Sequence, residues 1–124
     1  MNGAAQPARV LVVDDDPDML LVIEAALSDE GLQVQTAADG PSAIDLMQLR
    51  PPDLLILDVT LPSMDSSSVA ERMRELRGDA APVLVITADG RAAEKARTLR
   101  AYGYLRKPFE LTNLITSVLT GLQR

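Results

Sequence analysis

The chain is predicted to fold as an α/β domain, a doubly wound parallel sheet of five strands with helices on both faces. Three observations predict it. Five short apolar segments alternate with five helical patterns along the 124 residues, the order expected of a parallel sheet built from strand-helix units. Residues 10–13, 54–57 and 83–86 are apolar without alternation, as strands covered on both faces are. Each of these runs stops on a polar residue, Asp14, Asp58 or Thr87, and such sheets bind ligands beyond the carboxyl ends of their strands.

Taken in order, residues 1–8 are expected to form a disordered tail, with one domain over 9–124. Val10-Leu11-Val12-Val13 is the first strand. Asp16 suits the N-cap of the helix that follows, Pro17 its first turn and Gly31 its stop. Leu20, Ile23 and Leu27 supply that helix's core face. Val34-Gln35-Thr36-Ala37 alternates and is less apolar, which reads as an edge strand. Asp39-Gly40-Pro41 turns the chain into a short helix through Ile44 and Met47, ended by Pro51-Pro52. Asp53-Leu54-Leu55-Ile56-Leu57-Asp58 is the central strand. Residues 59–67 read as a loop, and Ser68-Val69-Ala70-Glu71 has the spacing of a capping box that would start a third helix ending near Gly78. Pro82 introduces the third apolar run. The fourth helix, residues 91–101, carries mostly alanines with Leu99 as its only large anchor, and is expected to be loosely held. Residues 102–106 give the last strand, broken by Lys107-Pro108. Leu111, Leu114, Ile115, Val118, Leu119 and Leu122 then form a helical stripe.

Composition narrows the chemistry. A chain of this length with 47% hydrophobic content can bury roughly two thirds of its unfolded surface without staples. There is no histidine and no cysteine, which removes disulfides, thiolate zinc sites and imidazole bases. A metal would have to be held by oxygen, favouring Mg²⁺ or Ca²⁺. The net charge of -6 argues against direct nucleic-acid binding, which needs clustered cations. No basic start with an apolar run opens the chain, and no stretch approaches membrane-spanning length, so a cytoplasmic protein without membrane contact is expected. Carboxylates gathered at the strand ends would repel one another unless a cation sat among them. Mg²⁺ held by few carboxylates keeps positions for phosphate oxygens, so the set is shaped for phosphoryl chemistry.

Four segments together resemble a known family. Val12-Val13-Asp14-Asp15-Asp16-Pro17, Leu57-Asp58-Val59-Thr60-Leu61-Pro62, Ile86-Thr87-Ala88 and Tyr104-Leu105-Arg106-Lys107-Pro108-Phe109 are similar to the receiver domain of bacterial two-component response regulators, over about residues 9–123. The resemblance implies a flavodoxin-like strand order, 2-1-3-4-5. It implies that Asp58 is the phosphoacceptor and that Asp14, Asp15, Asp58 and the Thr60 backbone carbonyl serve Mg²⁺. It also implies that the Thr87 hydroxyl, the Ala88 N–H and Lys107 hold the phosphoryl oxygens, and that the bond before Pro108 is cis. Thr87 and Tyr104 would be the switch pair, and Thr60 and Asp89 would tune hydrolysis. The implied partners are a sensor histidine kinase or phosphotransfer protein, and a downstream protein or effector domain reached through the fourth helix, fifth strand and fifth helix. A homodimer formed on phosphorylation is a further expectation. By this reading the chain is no general enzyme and catalyses only its own phosphorylation and dephosphorylation. With Met1 a few residues ahead of the first strand, the receiver is expected to begin its protein.

Two other readings stand beside this one. Asp14-Asp15-Asp16 contains the Asp-x-Asp spacing of haloacid-dehalogenase-type phosphatases, with Asp14 as nucleophile, but no late acidic pair completes it. A receiver fold used as a phosphorylation-independent interaction module is the second. Departures from the family pattern bear on it: Ser66 stands where glycine is usual, Arg100-Ala101 replaces the common Gly-Ala, and Tyr102-Gly103 replaces an acidic pair. If position 66 required a positive backbone torsion, its loop would be strained.

Overall fold

The structure, a computed structural model, describes residues 6–60 and 66–123. The three continuous apolar runs offer no polar face to water and so take the inner positions of the sheet. They form β1 (Arg9–Val13), β3 (Leu54–Asp58) and β4 (Val83–Thr87), with β2 (Gln33–Ala37) and β5 (Gly103–Arg106) as edges. All pairings are parallel and the order is β2-β1-β3-β4-β5, the doubly wound arrangement expected. The edge strands alternate in burial, while β3 and β4 are buried throughout. Register decides the site. Val13 pairs with Leu57, Asp58 with Ile86, and Thr87 with Arg106. Asp14 and Asp58 are therefore level with each other along the carboxyl edge, with Thr87 one residue and Lys107 two residues beyond them.

Alternate side chains of each strand point to opposite faces, giving two cores. Leu11, Val13, Leu55, Leu57, Val83 and Val85 meet α2 (Gly40–Leu49), α3 (Ser66–Arg77) and α4 (Ala92–Thr98). Val10, Val12, Leu54, Ile56, Leu84 and Ile86 meet α1 (Pro17–Ser28) and α5 (Leu111–Leu122) through Ile23, Leu27, Leu114 and Val118. Asp16 caps α1 as expected, accepting from the Asp18 and Met19 N–H groups, and Asp39 caps α2 through Ser42 N–H at 2.8 Å. Such caps are worth about 1 kcal/mol each. Gly31 and Gly78 take φ of 85° and 99° just past α1 and α3, a region costly for any residue with a Cβ.

Several boundaries differ from expectation. α3 is already helical at Ser66, so Ser68 is not its N-cap and the spacing to Glu71 is internal to the helix. The buried positions Val69, Ala70 and Met73 hold that helix on the sheet. Ser66 carries no positive φ, since Arg100 is the only non-glycine residue so placed among the described residues, and the feared strain is absent there. α4 is shorter than residues 91–101 because Arg100 turns left-handed at φ 56°. Around it Arg100 N–H reaches Arg97 O at 3.1 Å and Ala101 N–H reaches Ala96 O at 2.9 Å, the paired bonds of a Schellman cap normally built on glycine. Tyr102 lies outside β5 and donates its hydroxyl to Ser117 O at 2.7 Å. Of the α5 stripe, Leu114 and Val118 are buried whereas Leu111 and Leu119 are exposed. The expected tail over 1–8 and the loop over 59–67 fall partly outside the described residues.

Candidate functional site

At the carboxyl edge β1 delivers Asp14, β3 delivers Asp58, and β4 delivers Thr87, all three fully or almost fully buried. Asp15, next along the chain, is exposed. Oxygens of Asp14, Asp15 and Asp58 lie within 4.8 Å of one another. Lys107, which follows β5, closes the set. Its Nζ donates to Asp14 Oδ2 at 2.7 Å and to Asp58 Oδ2 at 2.8 Å. Its N–H donates to Thr87 O at 2.8 Å, and the Lys107–Pro108 peptide is cis, as expected.

The two carboxylates are held differently. Asp14 Oδ1 accepts from Asp16 N–H at 2.9 Å. Asp58 Oδ1 accepts twice from Thr60, from its N–H at 2.8 Å and from its hydroxyl at 2.7 Å. Burial pushes the Asp14 carboxyl above its ordinary range, and the bonds from Lys107 and Asp16 only partly offset it. Burial pushes Asp58 the same way, but Lys107 and the two Thr60 donors outweigh it and hold that carboxyl below its ordinary value. For Lys107, burial favours the neutral amine, and the two carboxylates overcome it and raise the pKa. Asp58 is thus an ionised carboxylate at neutral pH, kept so by three donors, which is the state a nucleophile needs.

The remaining expected residues take separate places. Thr87 Oγ1 accepts from Asp89 N–H at 3.0 Å. Ala88 is exposed on the loop between these two, and Tyr104 stands 47% exposed on β5. Sequence reasoning gave Thr60 a backbone carbonyl and a tuning role but missed its hydroxyl on Asp58, which no spacing rule announces. It also missed the Asp89 bond to Thr87.

Three carboxylates and one ammonium leave the cluster with an excess of negative charge. A divalent cation bound by oxygen fits this donor set, and the absence of histidine and cysteine from the chain leaves oxygen as the ligand type. A concavity of about 440 Å³ lies at the opposite end of the sheet, lined in part by Asp53, Arg77, Pro82 and Gly121. There Arg77 pairs with Asp53 at 2.7 Å, and Asp53 also accepts from Arg9 N–H at 2.7 Å; the acidic cluster able to hold a cation lies instead at the carboxyl edge.

The chain is similar to known proteins over nearly its whole length. The model of the response regulator receiver domain matches residues 10–119. Response regulator MprA of Mycobacterium sp. (strain KMS) is 38% identical over 120 residues, 95% of this chain and 52% of the relative. Transcriptional regulatory protein PrrA of Mycobacterium tuberculosis is 38% identical over 125 residues, 99% of this chain and 53% of the relative. This chain therefore spans about half the length of the curated relatives it matches. Among solved structures, the chemotaxis protein CheY4 of Vibrio cholerae superposes with a TM-score of 0.83 at 29% identity, covering 92% of this chain and 98% of the other. The receiver domain of the Francisella response regulator 1452 gives a TM-score of 0.81 at 26% identity, covering 94% and 98%.

Proposed function

We propose a function from one premise: this chain belongs to the response regulator receiver domain family. Such receivers are signalling domains switched by phosphorylation. In the finer reading, Asp58 accepts a phosphoryl group from a sensor histidine kinase or a phosphotransfer protein, and the acyl phosphate alters a partner-binding surface. The observation that carries this is the convergence of Asp14, Asp15 and Asp58 oxygens within 4.8 Å, with Lys107 bridging Asp14 and Asp58.

An ionised Asp58 oxygen attacks phosphorus in line while the bond to the donor's imidazole nitrogen breaks, and the imidazole leaves with the electron pair. Asp14, Asp15, Asp58 and the Thr60 carbonyl would hold Mg²⁺, which when bound neutralises charge on the phosphoryl oxygens. Lys107, Thr87 through its hydroxyl and Ala88 through its N–H supply the remaining donors to those oxygens. Phosphorylation adds roughly two negative charges. A lysine about 4 Å away gains about 4 kcal/mol per unit charge pair at an effective dielectric near 20, before desolvation. Reversing a two-state population takes about 5.5 kcal/mol, the same order as this gross attraction, so Lys107 with Thr87 is the pair expected to drive the switch. Thr87 and Tyr104 form the switch pair and Thr60 and Asp89 tune hydrolysis, with output through α4, β5 and α5 to a downstream protein or effector domain, or to a second copy. The reading places the protein in the cytoplasm, without direct nucleic-acid contact by this domain.

The test is intact mass after incubation with phosphoramidate and Mg²⁺, beside Asp58→Asn and a chelated control. One added phosphoryl group that needs both Asp58 and the metal is expected. No adduct with no donor hydrolysis would favour an interaction module independent of phosphorylation, and steady turnover of a phosphomonoester would favour a phosphatase.

A further inference from the structure

Thr87 is fully buried, yet its hydroxyl oxygen is tied towards α4. Asp89 N–H donates to Thr87 Oγ1 at 3.0 Å. The Asp89 carboxylate then accepts on both oxygens, from Arg91 N–H at 2.8 Å and from Lys95 Nζ at 3.1 Å. A continuous line of bonds thus runs from the buried hydroxyl to the N-terminal turns of α4. Among the described residues little else fastens that end of the helix. Its buried side chains are Ala92 and Ala96, and an alanine buries little apolar surface. The larger anchor, Leu99, lies at the C-terminal end, where the buried Arg74 also donates to the Leu99 carbonyl.

We infer that Asp89 and Lys95 form a clip that holds Thr87 and α4 in the resting arrangement, and that Lys95 is a positioning residue setting how readily the switched arrangement is reached. The inference rests on the reading of Asp58 as phosphoacceptor. A Thr87 hydroxyl that turns to a phosphoryl oxygen either carries Asp89 with it or gives up the Asp89 N–H. In the first case the Asp89 carboxylate leaves the position that satisfies Arg91 N–H and Lys95 together, and in the second Asp89 loses the backbone bond that fixes that position. A clip made in the resting state and broken in the other biases the equilibrium by its own strength. The pair is partly open to solvent, with side chains 30% and 32% exposed, so the bias is small and the clip can be released by a phosphoryl group. A strong buried pair at this place would lock the switch.

The experiment uses beryllofluoride with Mg²⁺ as the phosphoryl probe, on wild type, Lys95→Met, Lys95→Arg and Asp58→Asn. Dissociation constants are read beside amide exchange across α4, with urea unfolding as a check on global stability. Lys95→Met is expected to bind the probe about two- to fivefold more tightly, the range that a partly exposed ion pair supplies. Its α4 amides should exchange faster before any ligand is added, while Lys95→Arg, which keeps the charge, behaves as wild type. Equal or weaker binding by Lys95→Met, or an equal tightening by Lys95→Arg, would overturn the clip while Asp58-dependent binding by wild type leaves the phosphoacceptor reading standing. Failure of wild type to bind the probe through Asp58 would overturn both.

Discussion

Replacing Lys107 by methionine removes the counter-ion of two buried carboxylates without removing the packing of its stem. The Lys107 ammonium sits 2.7 Å from Asp14 and 2.8 Å from Asp58, with those side chains 0% and 3% exposed. Breaking a buried pair by deleting one partner costs about 3–5 kcal/mol. Protonation sets a ceiling on that cost. Holding one carboxyl neutral costs about 1.36 kcal/mol per pH unit above a reference pKa of about 3.9, so about 4 kcal/mol at pH ~7 and about 1.5 kcal/mol at pH ~5. Asp14, whose pKa burial already raises, is the carboxyl that takes the proton. The sign follows: the folded variant binds a proton that the unfolded chain has lost, so its deficit grows as pH rises from about 4. Urea unfolding of both proteins in chelator, at the two pH values, measures the difference. A loss of about 3–4 kcal/mol at the higher pH that shrinks to about 1.5 kcal/mol at the lower is expected. A deficit below about 1 kcal/mol, or one independent of pH, would refute the argument that Lys107 neutralises the cluster.

The same bookkeeping applies to wild type. The depressed Asp58 pKa contributes stability that is present above its unfolded pKa and is lost on acidification through the folded one. The raised Lys107 pKa contributes stability that is lost as pH climbs past the folded value, above 10.5; pH-dependent urea midpoints of wild type against Lys107→Met should show both limbs. Arg100→Gly relieves a left-handed residue at the end of α4, a cost of about 1–2 kcal/mol partly returned as unfolded-chain entropy. A net gain of about 0.5–1 kcal/mol is expected in thermal unfolding, and a lower midpoint would count against the strain. Gly121→Ala would drive a methyl group into the Tyr102 hydroxyl and to 2.8 Å from Leu54 Cδ1. A loss of about 1–3 kcal/mol is expected, measurable by urea unfolding, and a neutral result would mean that Tyr102 moves aside freely.

The parts of this domain that could be read from residues are those governed by local pattern. Strands buried on both faces show as unbroken apolar runs, so Asp14, Asp58 and Thr87 announce themselves by interrupting them. Asp16 before Pro17, and Gly31 and Gly78 after their helices, follow the same local rules. The strand order is a tertiary fact and came from the family resemblance. Where a residue departs from its usual type, pattern misleads. A helix drawn through Arg100 ignores its left-handed turn, and a capping box at Ser68 ignores that Ser66 is already helical. Contacts between distant residues leave no trace in spacing: Tyr102 on Ser117, and Arg74 on the Leu99 carbonyl, each join separate elements. The Thr60 hydroxyl on Asp58 is local, but a threonine two residues past a carboxylate is too common to signal a bond.

The central claim is that Asp58, and not its neighbours, carries the phosphoryl group. Borohydride reduces an acyl phosphate to the alcohol and so marks the modified aspartate as homoserine, whose position peptide mass spectrometry assigns. After treatment with phosphoramidate and Mg²⁺, homoserine at position 58 is the predicted result. Homoserine at position 14 instead, or none under conditions in which the intact protein gains a phosphoryl group, would contradict it.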